Sequence, residues 1–558
     1  MGTRFSAQDR TLWLEEMSEQ KLDLLVIGSG VTAACTAWDA STRGMTTGLI
    51  AEEDFAVEYD GRPPELLHGS LRYMKQEDFR TVRDSSAEMK FLQHAAPHLL
   101  DPVPVLVPVY TKGFRNYWAN TAGLNMYDRL ARVKSSERRR MIRRDEALDM
   151  EPLLKKKGLI CAEFYNDYMI SEARLAVELL KSARDHGAMI INYAEVNQWL
   201  SWGGKLSGVT VTDRLSGKSY AISASHIIDA RESHPEEGRG GDGSEWNQAA
   251  YACRSVHMVL DSRQLPVHQA CYYKMPDQDM LSVIPRSGKV IVSTQVTSDV
   301  SNSSEYPGLS EAELQMLINK VHHAFKDIQL QSSEVESCWA AVRNVRSSPV
   351  DEGSGKGRDI LTSEDNSRII VSCDRAAGFR KHAEAAVNLV AERLQEENRT
   401  IYPPCTTDRR SLSGSIPEGS LHADYYAFKK AVIKQGRRLG IHIDVSLELL
   451  GRYGSGTEEL FRNMEREGSV KSAEQRLLEA ELHYAVHHEM TTSAADFLLR
   501  RSLWMRYNRH KAEQLMNSIL QRMRELLDWD QDELHRQREL LQNSMQMLWM
   551  EKKVLSKP

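Results

Sequence analysis

Leu22-Asp23-Leu24-Leu25-Val26-Ile27-Gly28-Ser29-Gly30-Val31-Thr32-Ala33 is the stretch that decides how this chain is read. Its first six residues, mostly apolar, have the length of a buried strand, and a glycine-rich turn follows without a break. The Ala-rich stretch from Ala34 to Arg43 then predicts a helix, Gly44 its stop, and Thr46 to Ala51 a second strand. This is a βαβ unit whose first turn carries the pattern G-x-G-x-x-A. Glycines there permit a tight turn and let the backbone approach a pyrophosphate, whose charge sits at the positive end of the helix, while Ala33 is small enough for the helix to pack on the strand. Glu52 follows about 20 residues on, where a carboxylate meets a ribose. Gly28, Ser29, Gly30, Thr32, Ala33 and Glu52 are therefore candidate cofactor contacts in an α/β fold with a Rossmann-like dinucleotide-binding domain.

The chain has 558 residues, enough for several domains. Lys+Arg number 72 against 78 Asp+Glu, a formal net charge of −6, which excludes a strongly basic nucleic-acid coat protein. With 41% hydrophobic and 27% charged residues the composition is that of a globular protein with a sizeable core. The cysteines Cys35, Cys161, Cys253, Cys271, Cys338, Cys373 and Cys405 are scattered and never spaced C-x-x-C, which speaks against a disulfide framework or zinc site and for a reducing cytoplasm. No apolar run approaches the roughly 20 residues needed to span a bilayer, and Glu15, Glu16 and Glu19 interrupt any signal-peptide core. Met1 to Ser6 fits a loose myristoylation pattern and is treated as a chance match.

Further strands are expected around Lys205–Thr212, His226–Ala230, Lys289–Thr294 and Arg368–Ser372, and helices over Glu172–His186 and Glu311–Phe325. The expected organisation is an N-terminal helical arm over 1–20, a nucleotide-binding domain interleaved with a substrate domain over 21–401, and a Pro/Ser/Gly-rich linker over 402–420. Beyond the linker Tyr425–Arg438, Ala473–His488, Lys511–Leu527 and Glu533–Lys553 are charged, Leu/Met-rich and free of proline, so 421–558 is expected to be all helical.

Three motifs are set aside. Gly353-Ser354-Gly355-Lys356-Gly357 has neither a Ser/Thr after its lysine nor a strand before it, and Gly238 to Ser244 is a similar loop. His483, His487, His488 and Glu489 lie at helical spacing but lack a further ligand set, so no metal is expected.

Beyond the glycine turn come Asp54-Phe55-Ala56 and Leu67-His68-Gly69-Ser70-Leu71-Arg72-Tyr73. Then follow Lys134-Ser135-Ser136-Glu137-Arg138-Arg139, Glu172-Ala173-Arg174-Leu175, Ile284-Pro285-Arg286, Trp339-Ala340-Ala341-Val342-Arg343, Glu489-Met490 and Ala495 to Arg501. In these segments, spread over almost the whole chain, the sequence resembles the FAD-dependent, quinone-linked glycerol-3-phosphate dehydrogenases. The resemblance implies FAD as cofactor, an antiparallel substrate sheet, glycerol 3-phosphate as substrate, dihydroxyacetone phosphate as product and quinone as electron acceptor, with peripheral attachment to the cytoplasmic membrane. It further implies phosphate or substrate contacts at Arg72, Tyr73, Arg343 and Arg375, and catalytic roles for His257 and Arg343. Forked arginine donors suit a phosphate ester, and an imidazole suits a hydroxyl proton.

Several segments depart from the family pattern, all on the flavin side. The family's ribose glutamate falls on Ala51, with Glu52 one residue off and so on the opposite strand face. Its serine run is replaced by Tyr59-Asp60-Gly61-Arg62-Pro63-Pro64-Glu65. Its Asn-Ala-Thr-Gly is replaced by Asp229-Ala230-Arg231-Glu232, its Gly-Thr-Thr-Asp by Ser293-Thr294-Gln295-Val296, and its Gly-Gly-Lys-Leu-Thr by Cys373-Asp374-Arg375-Ala376-Ala377. Two readings stand at this point: a glycerol-3-phosphate dehydrogenase, or a degenerate homologue with lost or impaired FAD binding that serves as a phosphate-metabolite-binding or regulatory protein.

Overall fold

The computed structural model describes residues 5–59, 65–66, 79–110, 139–231, 250–277, 279–296, 309–325, 327–346, 360–362, 368–371, 378–416, 424–466 and 471–548, with the backbone alone at 58, 65–66, 79–86, 250–253, 296, 342–346 and 361. The opening unit is strand β1 (Leu22–Ile27), helix α1 (Val31–Thr42) and strand β2 (Thr47–Ile50). Leu22, Leu24, Leu25, Val26 and Ile27 are all fully buried, each such side chain contributing about 1.5–3 kcal/mol. Burial on both faces explains why β1, apart from the partly buried Asp23, is an apolar run rather than an alternating one.

In the first sheet the order is Ile360–Thr362, Arg368–Val371, Ser219–Asp229, β1, β2, Met189–Ile191. From Arg368–Val371 to Met189–Ile191 every neighbouring pair is parallel. The chain moves outward from β1 through β2 to Met189–Ile191 and only then returns to lay Ser219–Asp229 against the other side of β1. The carboxyl end of β1 is thus the topological switch point, where open α/β sheets receive ligands. Ala33, Ala34, Ala37 and Trp38 of α1 share a core with Leu175 and Leu179 of helix Glu172–Asp185 and Val387 and Val390 of helix Phe379–Asn398.

The second sheet runs Val335–Arg346, Ala250–Asp261, Lys289–Val296, Met280–Arg286, Ala270–Lys274, Asp101–Tyr110, Leu159–Ile170, Glu65–Leu66. It is antiparallel apart from the pair Ala270–Lys274 with Asp101–Tyr110. Strand alternation gives it two differently used faces. Val256, Met258, Leu260, Val290 and Val292 pack under Leu314, Leu317, Ile318 and Val321 of helix Glu311–Ala324. Val259, Ile291 and Trp339, on the opposite face, pack against Leu482, Val486, Leu498 and Ile519 from the C-terminal helices.

Those helices are Tyr425–Arg438, Ile443–Tyr453, Thr457–Arg466, Ala473–His488, Arg509–Leu527 and Gln531–Leu548, with a π-helical turn at Phe497–Arg501. A buried ionic seam joins them to the first domain. Asp54, just past β2, accepts from Arg501 Nη1 and Nη2 at 2.8 and 2.9 Å and from Arg500 Nε at 2.7 Å. The π turn, closed by Ser502 N–H donating to the Phe497 carbonyl at 2.8 Å, presents two consecutive arginines to one carboxylate. Arg174 forks onto Glu489 at 3.0 and 2.7 Å and also holds Glu178 at 2.8 Å.

The expected elements stand with most ends moved by a residue or two; α1 begins three residues before the expected Ala34, Ser219–Asp229 reaches well upstream of the expected His226, and the expected helix end at Lys553 lies outside the described residues. The linker segment up to residue 416 is docked: Leu412 N–H donates to the Ala95 carbonyl and Ser413 N–H to Ser182 Oγ, each at 2.8 Å.

Candidate active site

Gly28 leaves β1 with φ +145, and a Cβ there would lie 2.9 Å from the Ala230 carbonyl oxygen, so only glycine brings the two strand ends this close. Gly30 is the N-cap of α1 and adds no side-chain cap. Ser29 and Thr32 are nearly buried beside it and Ala33 fully so. The first amide of the helix is engaged: Val31 N–H donates to the Tyr59 hydroxyl at 2.9 Å. The Tyr59 carbonyl in turn accepts from Arg506 Nη1 of the C-terminal domain at 3.3 Å.

Ala51 is fully buried, whereas Glu52 reaches the surface, as its odd register predicts. Its carboxylate holds Arg231 Nη1 at 2.8 Å. Arg231 also forks onto Asp229 with Nε at 3.0 Å and Nη2 at 2.9 Å, and Arg368 Nη2 meets the same carboxylate at 2.5 Å. Glu52 follows β2 and Arg231 follows Ser219–Asp229, the two strands that flank β1. Their ion pair spans the crevice above the glycine turn.

The dinucleotide fit can be judged from these contacts. The turn has the shape a pyrophosphate needs, with a 12-residue helix behind it whose N-cap, Gly30, brings no side chain of its own. At the ribose end the carboxylate that reaches the crevice, Glu52, is engaged by Arg231.

His257 is buried on the second sheet, on the face opposite helix Glu311–Ala324. Ser293 Oγ lies 2.8 Å from its Nδ1 and Ser255 Oγ 2.9 Å from its Nε2. Its ring lies against Trp339 with centroids 5.3 Å apart, and Trp339 meets Tyr507 edge-on at 6.4 Å. A neutral imidazole has one donor and one acceptor nitrogen, so one serine accepts while the other donates. When the ring takes up a proton both nitrogens become donors and only one hydroxyl has to rotate, so the clamp serves both states without a stranded polar atom.

Arg286 lies over the Tyr507 ring at 5.1 Å. Residues Arg506 and Tyr507 thus connect the two halves of the site, one touching Tyr59 at the helix terminus and the other the Trp339–His257 stack. Arg343 lies opposite Cys253 while His257 lies opposite Trp339, four residues or roughly 13 Å along the strand. Its side chain, and the whole of Arg72, Tyr73 and Arg375, lie outside the described residues, as do the loops 238–244 and 353–357. Among the described residues no group of three or more His, Cys, Asp or Glu could hold a metal. His487 and His483 meet with tilted rings, centroids 4.3 Å apart, and Ser6 Oγ lies 3.4 Å from His487 Nδ1.

Sequence reasoning missed the Ser255–His257–Ser293 clamp, the Tyr59 contact and the Arg231–Glu52 bridge. Tyr59 and Arg231 did stand out as departures from the family pattern. Ser293 likewise opens a segment that departs from that pattern, but its pairing with His257 comes from cross-strand register and Ser255 gave no signal.

Comparison with known proteins places this geometry. Residues 23–398 match the family model described as FAD dependent oxidoreductase, and residues 405–534 the model described as C-terminal domain of alpha-glycerophosphate oxidase. The aerobic glycerol-3-phosphate dehydrogenase of Bacillus subtilis is 32% identical over 535 residues, 95% of this chain and 96% of that protein. The protein of the same name from Staphylococcus aureus strain MRSA252 is 32% identical over 523 residues, 92% of each chain. The crystal structure of the Bacillus halodurans glycerol-3-phosphate dehydrogenase complexed with FAD superposes with a TM-score of 0.79 at 28% identity, covering 98% of both chains. With both models matched and these relatives aligned almost end to end, the chain belongs to the FAD dependent oxidoreductase family, in its glycerol-3-phosphate dehydrogenase branch.

Proposed function

We propose that this protein oxidises sn-glycerol 3-phosphate to dihydroxyacetone phosphate. The observation that carries the reading is His257, buried and clamped by two hydroxyls on the sheet face joined to the dinucleotide domain through Arg506 and Tyr507. When bound at the glycine turn, FAD supplies the two-electron acceptor for the hydride from C2. His257 takes the C2 hydroxyl proton, directly or through the Ser255 hydroxyl, as the C–O bond becomes a carbonyl. Arg72, Tyr73, Arg343 and Arg375 hold the phosphate ester, arginine forks suiting its oxygens. The buried Trp339 ring and the partly buried Tyr507 ring keep water from the reacting end.

Electrons then pass to a quinone, reached by peripheral contact with the cytoplasmic membrane. Among the described residues no helix is long and apolar enough to cross a bilayer, so such contact would rest on surface patches. The test is anaerobic. With FAD bound, adding glycerol 3-phosphate should bleach the flavin absorbance and yield dihydroxyacetone phosphate, and a quinone analogue should restore the colour. Bound flavin that stays oxidised in excess glycerol 3-phosphate would refute the reading.

A further inference from the structure

Two of the anchor points a dinucleotide would use are filled by the chain's own side chains. At the pyrophosphate end, the first amide of α1 donates to the Tyr59 hydroxyl. At the ribose end, Glu52 is held by Arg231, and the bridge crosses the switch point directly above Gly28–Gly30. The Gly28–Ala230 packing fixes where Arg231 begins, since Ala230 N–H also donates to the Ile27 carbonyl at 2.8 Å. Arg231 therefore cannot drift away with its backbone and must leave by side-chain rotation.

The surroundings make that rotation feasible. Asp229 is fully buried, and leaving it without a cation would be costly. Arg368 stays on it at 2.5 Å, itself braced over the Trp199 ring at 4.2 Å, so Asp229 keeps a partner when Arg231 lets go. Glu52 is 30% exposed and sits at the crevice mouth, where a ribose hydroxyl can replace the guanidinium. Tyr59 is less free, because its carbonyl is tied to Arg506.

We propose that Arg231, with Tyr59 behind it, is a latch across the dinucleotide crevice, so that FAD binds only in competition with the Arg231–Glu52 bridge and is an exchangeable cofactor. This rests on the FAD-dependent reading above and adds to it which residues set the affinity. A ligand that must first break an internal contact binds more weakly by the fraction of molecules in which that contact is open.

The experiment is a titration of flavin-stripped protein with FAD, followed by quenching of flavin fluorescence, for the wild type, Arg231→Thr, Arg231→Lys and Tyr59→Phe. The wild type should lose FAD on desalting. Arg231→Thr, with no group to reach Glu52, should bind FAD at least tenfold more tightly. Arg231→Lys keeps a charge for folding but cannot fork across both carboxylates, and should fall between. Tyr59→Phe should tighten binding a few-fold. Circular dichroism of each flavin-free variant shows that it is folded. Equal or weaker binding by Arg231→Thr and Arg231→Lys overturns the latch, weaker binding meaning that Arg231 contacts the cofactor instead. If the wild type binds FAD and is bleached by glycerol 3-phosphate while the variants bind no tighter, the latch alone falls. If no form binds FAD, the flavoenzyme reading falls with it.

Discussion

Replacing Asp54 by Asn keeps the shape of the side chain and removes the charge on which the interdomain seam is built. Asp54 is fully buried; burial alone would raise its pKa, but Arg501 and then Arg500 outweigh it and hold the carboxyl at about 2, against an ordinary 3.8. A carboxylate with a depressed native pKa stabilises the fold above its unfolded value, and that contribution is lost as the pH falls from 3.8 through about 2. The linkage amounts to about 2 kcal/mol. Stranding buried guanidiniums adds to it, and breaking such a pair costs about 3–5 kcal/mol in all. Arg500 keeps Asp496 at 2.7 Å, and Arg501 keeps the Glu489 carboxylate at 3.8 Å and the Glu489 carbonyl at 3.0 Å. The expected loss is therefore at the low end, about 3 kcal/mol. Urea unfolding followed by tryptophan fluorescence should show it in full near neutral pH, and the gap between wild type and Asp54→Asn should narrow once the pH drops below about 4. A neutral-pH difference under about 0.5 kcal/mol, or a gap that holds constant into the acid range, would refute the reasoning.

Other substitutions test the site itself. His257→Gln should lower kcat by about 10²–10⁴ with flavin content unchanged, read by stopped-flow flavin reduction. Gly28→Ala puts a Cβ 2.9 Å from the Ala230 carbonyl at φ +145, so it should lose about 1–3 kcal/mol in a denaturant titration and shift Arg231 as well. Arg343→Lys keeps the charge but not the fork, so steady-state kinetics should show KM raised about tenfold with kcat little changed.

The first βαβ unit was legible because its burial on both faces writes a mostly apolar run followed at once by glycines. The C-terminal helices Tyr425–Arg438 and Ala473–His488 were legible to the residue because Asp424 and Ser472 cap them. Ile443–Tyr453 and Thr457–Arg466 were not, since Gly454-Ser455-Gly456 breaks the periodicity between them. Strand Asp101–Tyr110 hides behind Pro102, Pro104 and Pro108, residues that argue against a strand. All three share one parity, so their missing N–H groups fall along one edge, and the ladder to Leu159–Ile170 is kept. At the site, the glycine motif and His257 could be named in advance. The ionic seam could not, because Asp54, Arg174, Glu489 and Arg501 lie far apart in sequence and charged residues are read by default as surface.

The seam between Asp54 and the π turn also sets an order of events during synthesis. Asp54 leaves the ribosome 446 residues before Arg500, an interval of about 20–90 s at typical translation rates of about 5–20 residues per second. Throughout that wait the carboxylate has neither of the arginines that make its burial tolerable, so the nascent dinucleotide domain must keep Asp54 hydrated and the surface around it open. The first domain is thus held short of its final packing until Arg500 and Arg501 have been made, and truncated chains ending before Arg500 would emerge as clients for chaperones and proteases.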